Sequence, residues 1–82
     1  MKALEAARAL REMALLEDLG GGNPFRSRAY EKAARLLEGL GEETDLADLL
    51  KEGGIARARG VGAGILAVLE DLARGETPPA LE

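Results

Sequence analysis

Four stretches of the chain repeat apolar residues at helical spacing, with glycine or proline between them. The first runs over about 2–19. Ala6, Ala9, Leu10, Met13, Ala14 and Leu16 share one face of a 3.6-residue wheel, with Glu5, Arg8, Arg11, Glu12 and Asp18 opposite. Leu4 and Leu15 fall on the polar side, either as scattered exposed leucines or as a contact stripe for a second copy or a neighbouring domain. Gly20-Gly21-Gly22 ends this helix. Asn23-Pro24 then supplies an N-cap and a first-turn proline for a second helix, predicted over about 24–40. Here Phe25, Ala29, Ala33, Leu36, Leu37 and Leu40 form the apolar face, with Tyr30 at its margin. Arg28, Lys32 and Arg35 make a basic stripe on the other side, beside Ser27, Glu31 and Glu38, and Glu31 and Arg35 have the spacing of an i,i+4 pair. Thr44 or Asp45 caps a short third helix over about 45–52, carrying Leu46, Leu49 and Leu50 and stopped by Gly53-Gly54. A fourth, over about 63–74, turns Ile65, Leu66, Val68, Leu69, Leu72 and Ala73 inward, with Gly75 just past its end.

β-branched residues are few, so the pattern predicts an all-α protein, a compact bundle of four main helices. One domain is expected over 1–76, followed by an extended tail over 77–82 whose Pro78-Pro79 would suit a linker. The 82 residues include neither cysteine nor histidine. Disulfides, thiolate or imidazole metal sites and histidine-based triads are therefore excluded. No apolar run approaches the roughly 18 residues of a membrane span and no signal peptide opens the sequence, so a cytoplasmic protein with no membrane partner is expected. A core of leucine, alanine and isoleucine leaves no room for a large catalytic cavity.

The net charge of −4 argues against strong non-specific affinity for nucleic acid, which comes from cations. The distribution tells more than the sum. Acids crowd into the first helix, the segment from Glu38 to Asp48 and the tail. Arg26, Arg28, Lys32 and Arg35 stand together in the second helix, and Arg57 and Arg59 flank a Gly60-Val61-Gly62 turn. The segment Ala58-Arg59-Gly60-Val61-Gly62-Ala63-Gly64-Ile65-Leu66 reads as a helix end, a tight hairpin and the start of a helix. Its two glycines allow positive φ and the close approach of another chain. The amides after such a turn are a natural seat for phosphate. The pattern has the form of a helix-hairpin-helix signature, here over 55–74; the plainer alternative is a helix–turn–helix corner without a ligand. Arg26 lies within the apolar arc of the second helix. It either pairs with a carboxylate inside the protein or serves as a phosphate ligand beside the hairpin.

The order of these features adds to each of them. An acidic amphipathic helix, the run Asn23-Pro24-Phe25-Arg26-Ser27-Arg28-Ala29-Tyr30-Glu31-Lys32-Ala33-Ala34, a short acidic helix and a Gly-Val-Gly hairpin opening a last helix follow one another. Over nearly the whole chain this resembles the N-terminal helix-hairpin-helix domain of family X DNA polymerases, typified by polymerase beta. The resemblance implies a domain that grips DNA near a gap or a 5′ end, as in DNA repair. It implies that Arg26 stands where the family holds a 5′-phosphate and Tyr30 where a tyrosine borders the same pocket. It also implies a site for a monovalent cation, Na⁺ or K⁺, on the main-chain carbonyls of Ala56, Ala58 and Val61. The chain departs from the family where lyase chemistry resides. The Schiff-base lysine position is Val68, a second lysine position is Gly64, and the usual proline before the hairpin is Arg59. An imine needs a primary amine, and no lysine lies on the fourth helix.

The expectation is a non-catalytic module that binds DNA weakly and without sequence specificity. Arg26, Arg28, Tyr30, Arg57, Arg59, Gly60, Val61, Gly62, Ala63 and Gly64 would form its surface, and no cofactor beyond the hairpin cation is expected. The alternative is a protein-interaction or oligomerisation module that kept the fold and lost DNA, pairing with a second copy or a polymerase domain. A residual lyase using Lys32 or the terminal amine is the remaining option.

Overall fold

A computed structural model describes residues 1–55, 58 and 61–75. They form four helices, α1 (Ala3–Leu19), α2 (Pro24–Glu38), α3 (Leu46–Glu52) and α4 (Ala63–Ala73). Among the described residues there is no strand, only one backbone bridge between Lys2 and Asp45. The all-α, four-helix expectation holds; the tail predicted over 77–82 lies outside the described residues. No described helix is long and apolar enough to cross a membrane.

The body of the fold is the pairing of α1 with α2. Alanines make this possible: Ala3, Ala6, Ala7, Ala14, Ala33 and Ala34 are all buried, with Leu10, Met13 and Leu37 filling the space between them. Small side chains let two helices lie close, and the larger ones set the contact. Ser27 is buried as well, and its hydroxyl donates to the carbonyl of Ala14 at 3.4 Å. The basic-stripe side of α2 therefore begins past Ser27. At the far end, Arg11 makes a two-pronged contact with Glu38, at 2.7 and 2.6 Å, clamping α1 to the last turn of α2.

That clamp is open to solvent, and its effect is readable by titration. The hydrogen bonds from Arg11 hold the Glu38 carboxyl below its ordinary value. A depressed carboxyl contributes stability above the unfolded value, about pH 4.3 for glutamate, and loses it as pH falls through the folded one. The thermal midpoint of the wild type should exceed that of Glu38→Gln near neutrality, and the gap should close on acidification. A gap independent of pH would mean that the pair does not contribute.

The helix starts follow the expected caps. Asn23 Oδ1 accepts the Phe25 N–H at 2.9 Å, with Pro24 in the first turn. Asp45, of the two candidates, caps α3, accepting the Asp48 N–H at 3.4 Å. Lys2 is extended and stands before α1, which starts one residue later than predicted; its N–H donates to Glu5 at 2.9 Å. The chain start is tied to α3 by Ala3 N–H to Thr44 O (2.8 Å) and Leu46 N–H to Met1 O (2.9 Å). α4 packs through Ile65, Leu69 and Leu72, one buried stripe at i, i+4 and i+7, into a core shared with Leu46 and Ile55. Gly75, with φ of 77°, closes it as expected.

Several expectations are corrected. α2 ends at Glu38, not 40. Gly39 N–H folds back to Arg35 O and Leu36 O, and Gly41 turns the chain away at φ 94°. Leu40 is thus outside the helix and exposed. Leu16 and Phe25, assigned to apolar faces, are 44% and 74% exposed, whereas Tyr30, set at a margin, is buried. The Glu31–Arg35 pair is not formed among the described residues; Arg35 acts instead on the Glu38 carboxyl.

Candidate nucleic-acid interface

The start of α2 and the start of α4 face each other across an open cleft of about 510 Å³. Arg26, Tyr30, Gly62 and Gly64, four of the residues singled out from sequence, line it together. Asn23, Phe25, Ala29 and Ile65 complete the lining. Tyr30 is buried, only 7% exposed, so it reaches the cleft with little of its surface. Ala63 is exposed in the first turn of α4, next to the cleft.

The hairpin is held from beneath. Ile55 is buried, and Val61 is half-buried against the same core. Ala58 N–H donates to Ile55 O at 3.2 Å and Val61 N–H to Ala58 O at 3.3 Å. Val61 thus has its side chain packed on the core and offers a ligand only its backbone. Gly62 is extended, with φ −88° and ψ 177°, a conformation open to any residue. The positive φ expected of the hairpin glycines is therefore not what glycine serves at 62. Its use is access: a Cβ built on Gly62 or Gly64 meets nothing within 4 Å. No side chain caps α4, whose own ladder opens with Leu66 N–H to Gly62 O at 3.0 Å. The amides of the first turn lie ahead of that ladder, at the positive end of the helix dipole, and Gly62 and Gly64 of this turn line the cleft.

Arg26 takes the first of its two readings, the pairing with a carboxylate, and stays largely open to solvent. Its guanidinium stands 3.8 Å from Glu17 Oε1, with the side chain still 61% exposed. Glu17 also accepts the Asn23 N–H at 3.0 Å, so it ties the end of α1 to the N-cap of α2. Gly22 makes room for this, because a Cβ there would lie 2.5 Å from the Glu17 carboxylate. A phosphate drawn into the cleft would compete with Glu17 for Arg26. Glu17→Gln keeps the acceptor for Asn23 and removes the competing charge. A solvent-accessible ion pair is worth about 0.2–1 kcal/mol, so affinity for phosphorylated DNA should rise about 1.4- to fivefold. A fluorescence titration that gives equal affinities would dissociate Arg26 from the ligand.

Arg28 does not line the cleft; its guanidinium lies 6.0 Å from the centre of the Phe25 ring and borders a second groove on the outer face of α2. Arg57, Arg59, Gly60 and the Ala56 carbonyl lie outside the described residues. Of the implied cation ligands, the Ala58 carbonyl takes the Val61 N–H and keeps a second lone pair, so it fits the role in chemistry. Among the described residues no cluster of carboxylates could hold a metal ion. Val68 is half-buried against the core and carries no amine. Asn23, Phe25, Ala29 and Ile65 are the cleft residues that the sequence reading assigned elsewhere, the first to a cap and the others to apolar faces.

Ile55 and Val61 on the core, with the uncapped start of α4 beside the cationic start of α2, are the described parts of a helix-hairpin-helix domain. The helix-hairpin-helix domain family matches residues 1–77, and the chain belongs to that family, in its polymerase beta N-terminal-like form. Domains of this kind are generally DNA-binding modules. Comparison with curated proteins and with solved structures gives no match.

Proposed function

We propose that this domain is a non-catalytic DNA-binding module that holds the sugar–phosphate backbone in the α2–α4 cleft, at a gap or a 5′-phosphate end. The observation that carries this reading is the convergence of Arg26 with the uncapped, glycine-opened first turn of α4 on one cleft. A phosphate there meets backbone N–H groups, a helix dipole and a guanidinium together. These contacts go to phosphate, not to base edges, so binding is backbone-directed. The non-catalytic part of this reading draws on the side chains: position 68 is valine, and Lys2, Lys32 and Lys51 are not among the residues lining the cleft.

Titration of labelled gapped DNA, with and without a 5′-phosphate, tests the proposal. Three to five phosphate contacts give a slope of log K against log salt of roughly −3 to −4. The phosphorylated end should bind more tightly, and Arg26→Ala should erase that preference. Borohydride treatment with abasic DNA should trap no covalent adduct. The rival reading, a protein-interaction module, draws on Leu15, Leu16 and Leu19, which stand exposed along the last turns of α1. Failure to bind any DNA at low salt would favour it.

A further inference from the structure

We infer that the outer face of α2 is a second backbone track, which takes the DNA strand that continues from the phosphate held in the cleft. The inference rests on the proposed DNA-binding role and extends its footprint. α2 carries four cations against two carboxylates, the reverse of the balance in α1, α3 and α4. In a chain of net charge −4, this helix is where a polyanion is drawn and the other helices are where it is repelled. Arg28, Lys32 and Arg35 follow one another at four and three residues, so they line one side of the helix over about 10 Å. None of the three forms an ion pair with another described residue. Arg35 leans electrostatically on Glu38, whose carboxylate is already engaged by Arg11.

The face is grooved, and the groove is continuous with the cleft. Phe25 and Ala29 line both the α2–α4 cleft and the outer groove, whose remaining walls are Arg28, Glu31, Lys32 and Arg35. A strand leaving the cleft crosses Phe25 and Ala29 and meets the cations directly. Glu31 is the single carboxylate in the groove, which leaves a net charge of two for the strand to neutralise. Continuity with the phosphate cleft is what selects a nucleic-acid strand over an acidic peptide.

The test uses 5′-phosphorylated, 3′-labelled oligothymidines of three and ten nucleotides, with the wild type and the Lys32→Ala/Arg35→Ala variant. Both positions are exposed and alanine favours the helix, so the fold is retained, which circular dichroism checks. Two added phosphate contacts steepen the single-strand salt slope by about 1.4. Between 50 and 200 mM salt the ten-mer should therefore lose about sevenfold more affinity than the three-mer. The double variant should bring the ten-mer to the slope of the three-mer and leave the three-mer unaffected. Equal slopes in the wild type, or an unchanged ten-mer slope in the variant, would overturn the second track while leaving the cleft in place. Binding of neither oligonucleotide would refute the cleft and the track together. Binding of polyglutamate that requires Lys32 and Arg35, without a length effect for DNA, would assign the face to an acidic protein and overturn the inference.

Discussion

Gly64→Glu should make the domain more stable and cost it DNA. Position 64 is the second residue of α4, and the space where its Cβ would stand is open. Replacing glycine within a helix gains roughly 0.5–1 kcal/mol from propensity alone. The first turn of α4 holds no acid and no capping side chain, so a carboxylate there adds about 0.3–1 kcal/mol through the helix dipole. The thermal midpoint should rise by several degrees, on the scale of about 4–8 °C per kcal/mol for a domain of this size. The same carboxylate occupies the place proposed for a phosphate. Like charges brought together cost enough to lower DNA affinity at least about tenfold. Gly64→Lys should do the opposite to binding, steepening the salt slope by about 0.7–0.9. It should stabilise less, since a cation opposes the dipole at that end. A Gly64→Glu protein that melts higher and binds DNA as before would remove the α4 turn from the interface.

The side chains of this cleft were visible in the sequence to the extent that they follow from local rules. Asn23-Pro24 marked the start of α2, so Arg26 and Tyr30 could be placed in its first turns, and the Gly-Val-Gly turn marked the start of α4. What the sequence did not reveal was the meeting of those two helix starts, a long-range fact set by how α1, α2 and α4 share a core. Phe25 shows the consequence. A helical wheel projects all positions down the axis and hides where the neighbouring helix stops. Phe25 has the right angle for the core and the wrong depth, because α1 gives way to Gly20–Gly22 beside it. Leu16 and Leu19 at the end of α1 and Leu40 past the end of α2 are exposed in the same way. Alanine failed in the opposite sense: Ala7 and Ala34 are buried, although neither reads as apolar enough to declare a face. The role of Glu17 was also hidden, since Gly22 positions it only after the α1–α2 turn has formed.

Leu37→Ala and Leu16→Ala separate angle from depth, and their stabilities should diverge. Each leucine lies on the apolar face of its own helix by periodicity. Leu37 is fully buried, however, while Leu16 is 44% exposed. Truncating a buried leucine removes its transfer free energy and leaves a cavity, costing about 2.7–5 kcal/mol. The walls around Leu37 include Ala33 and Ala34 on its own helix, and methyl groups fixed on a backbone cannot swing in to fill the space. The cost should therefore lie in the upper part of that range. A domain of 82 residues has only about 4–12 kcal/mol in total, so Leu37→Ala should lower the thermal midpoint by at least about 12 °C and leave part of the population unfolded at 37 °C. Leu16→Ala should change stability by no more than about 0.5–1 kcal/mol. Urea unfolding followed by circular dichroism measures both. Comparable losses in the two variants would mean that the end of α1 is covered in solution, most simply by another copy of the chain, and the dependence of the Leu16→Ala midpoint on protein concentration would then identify that contact.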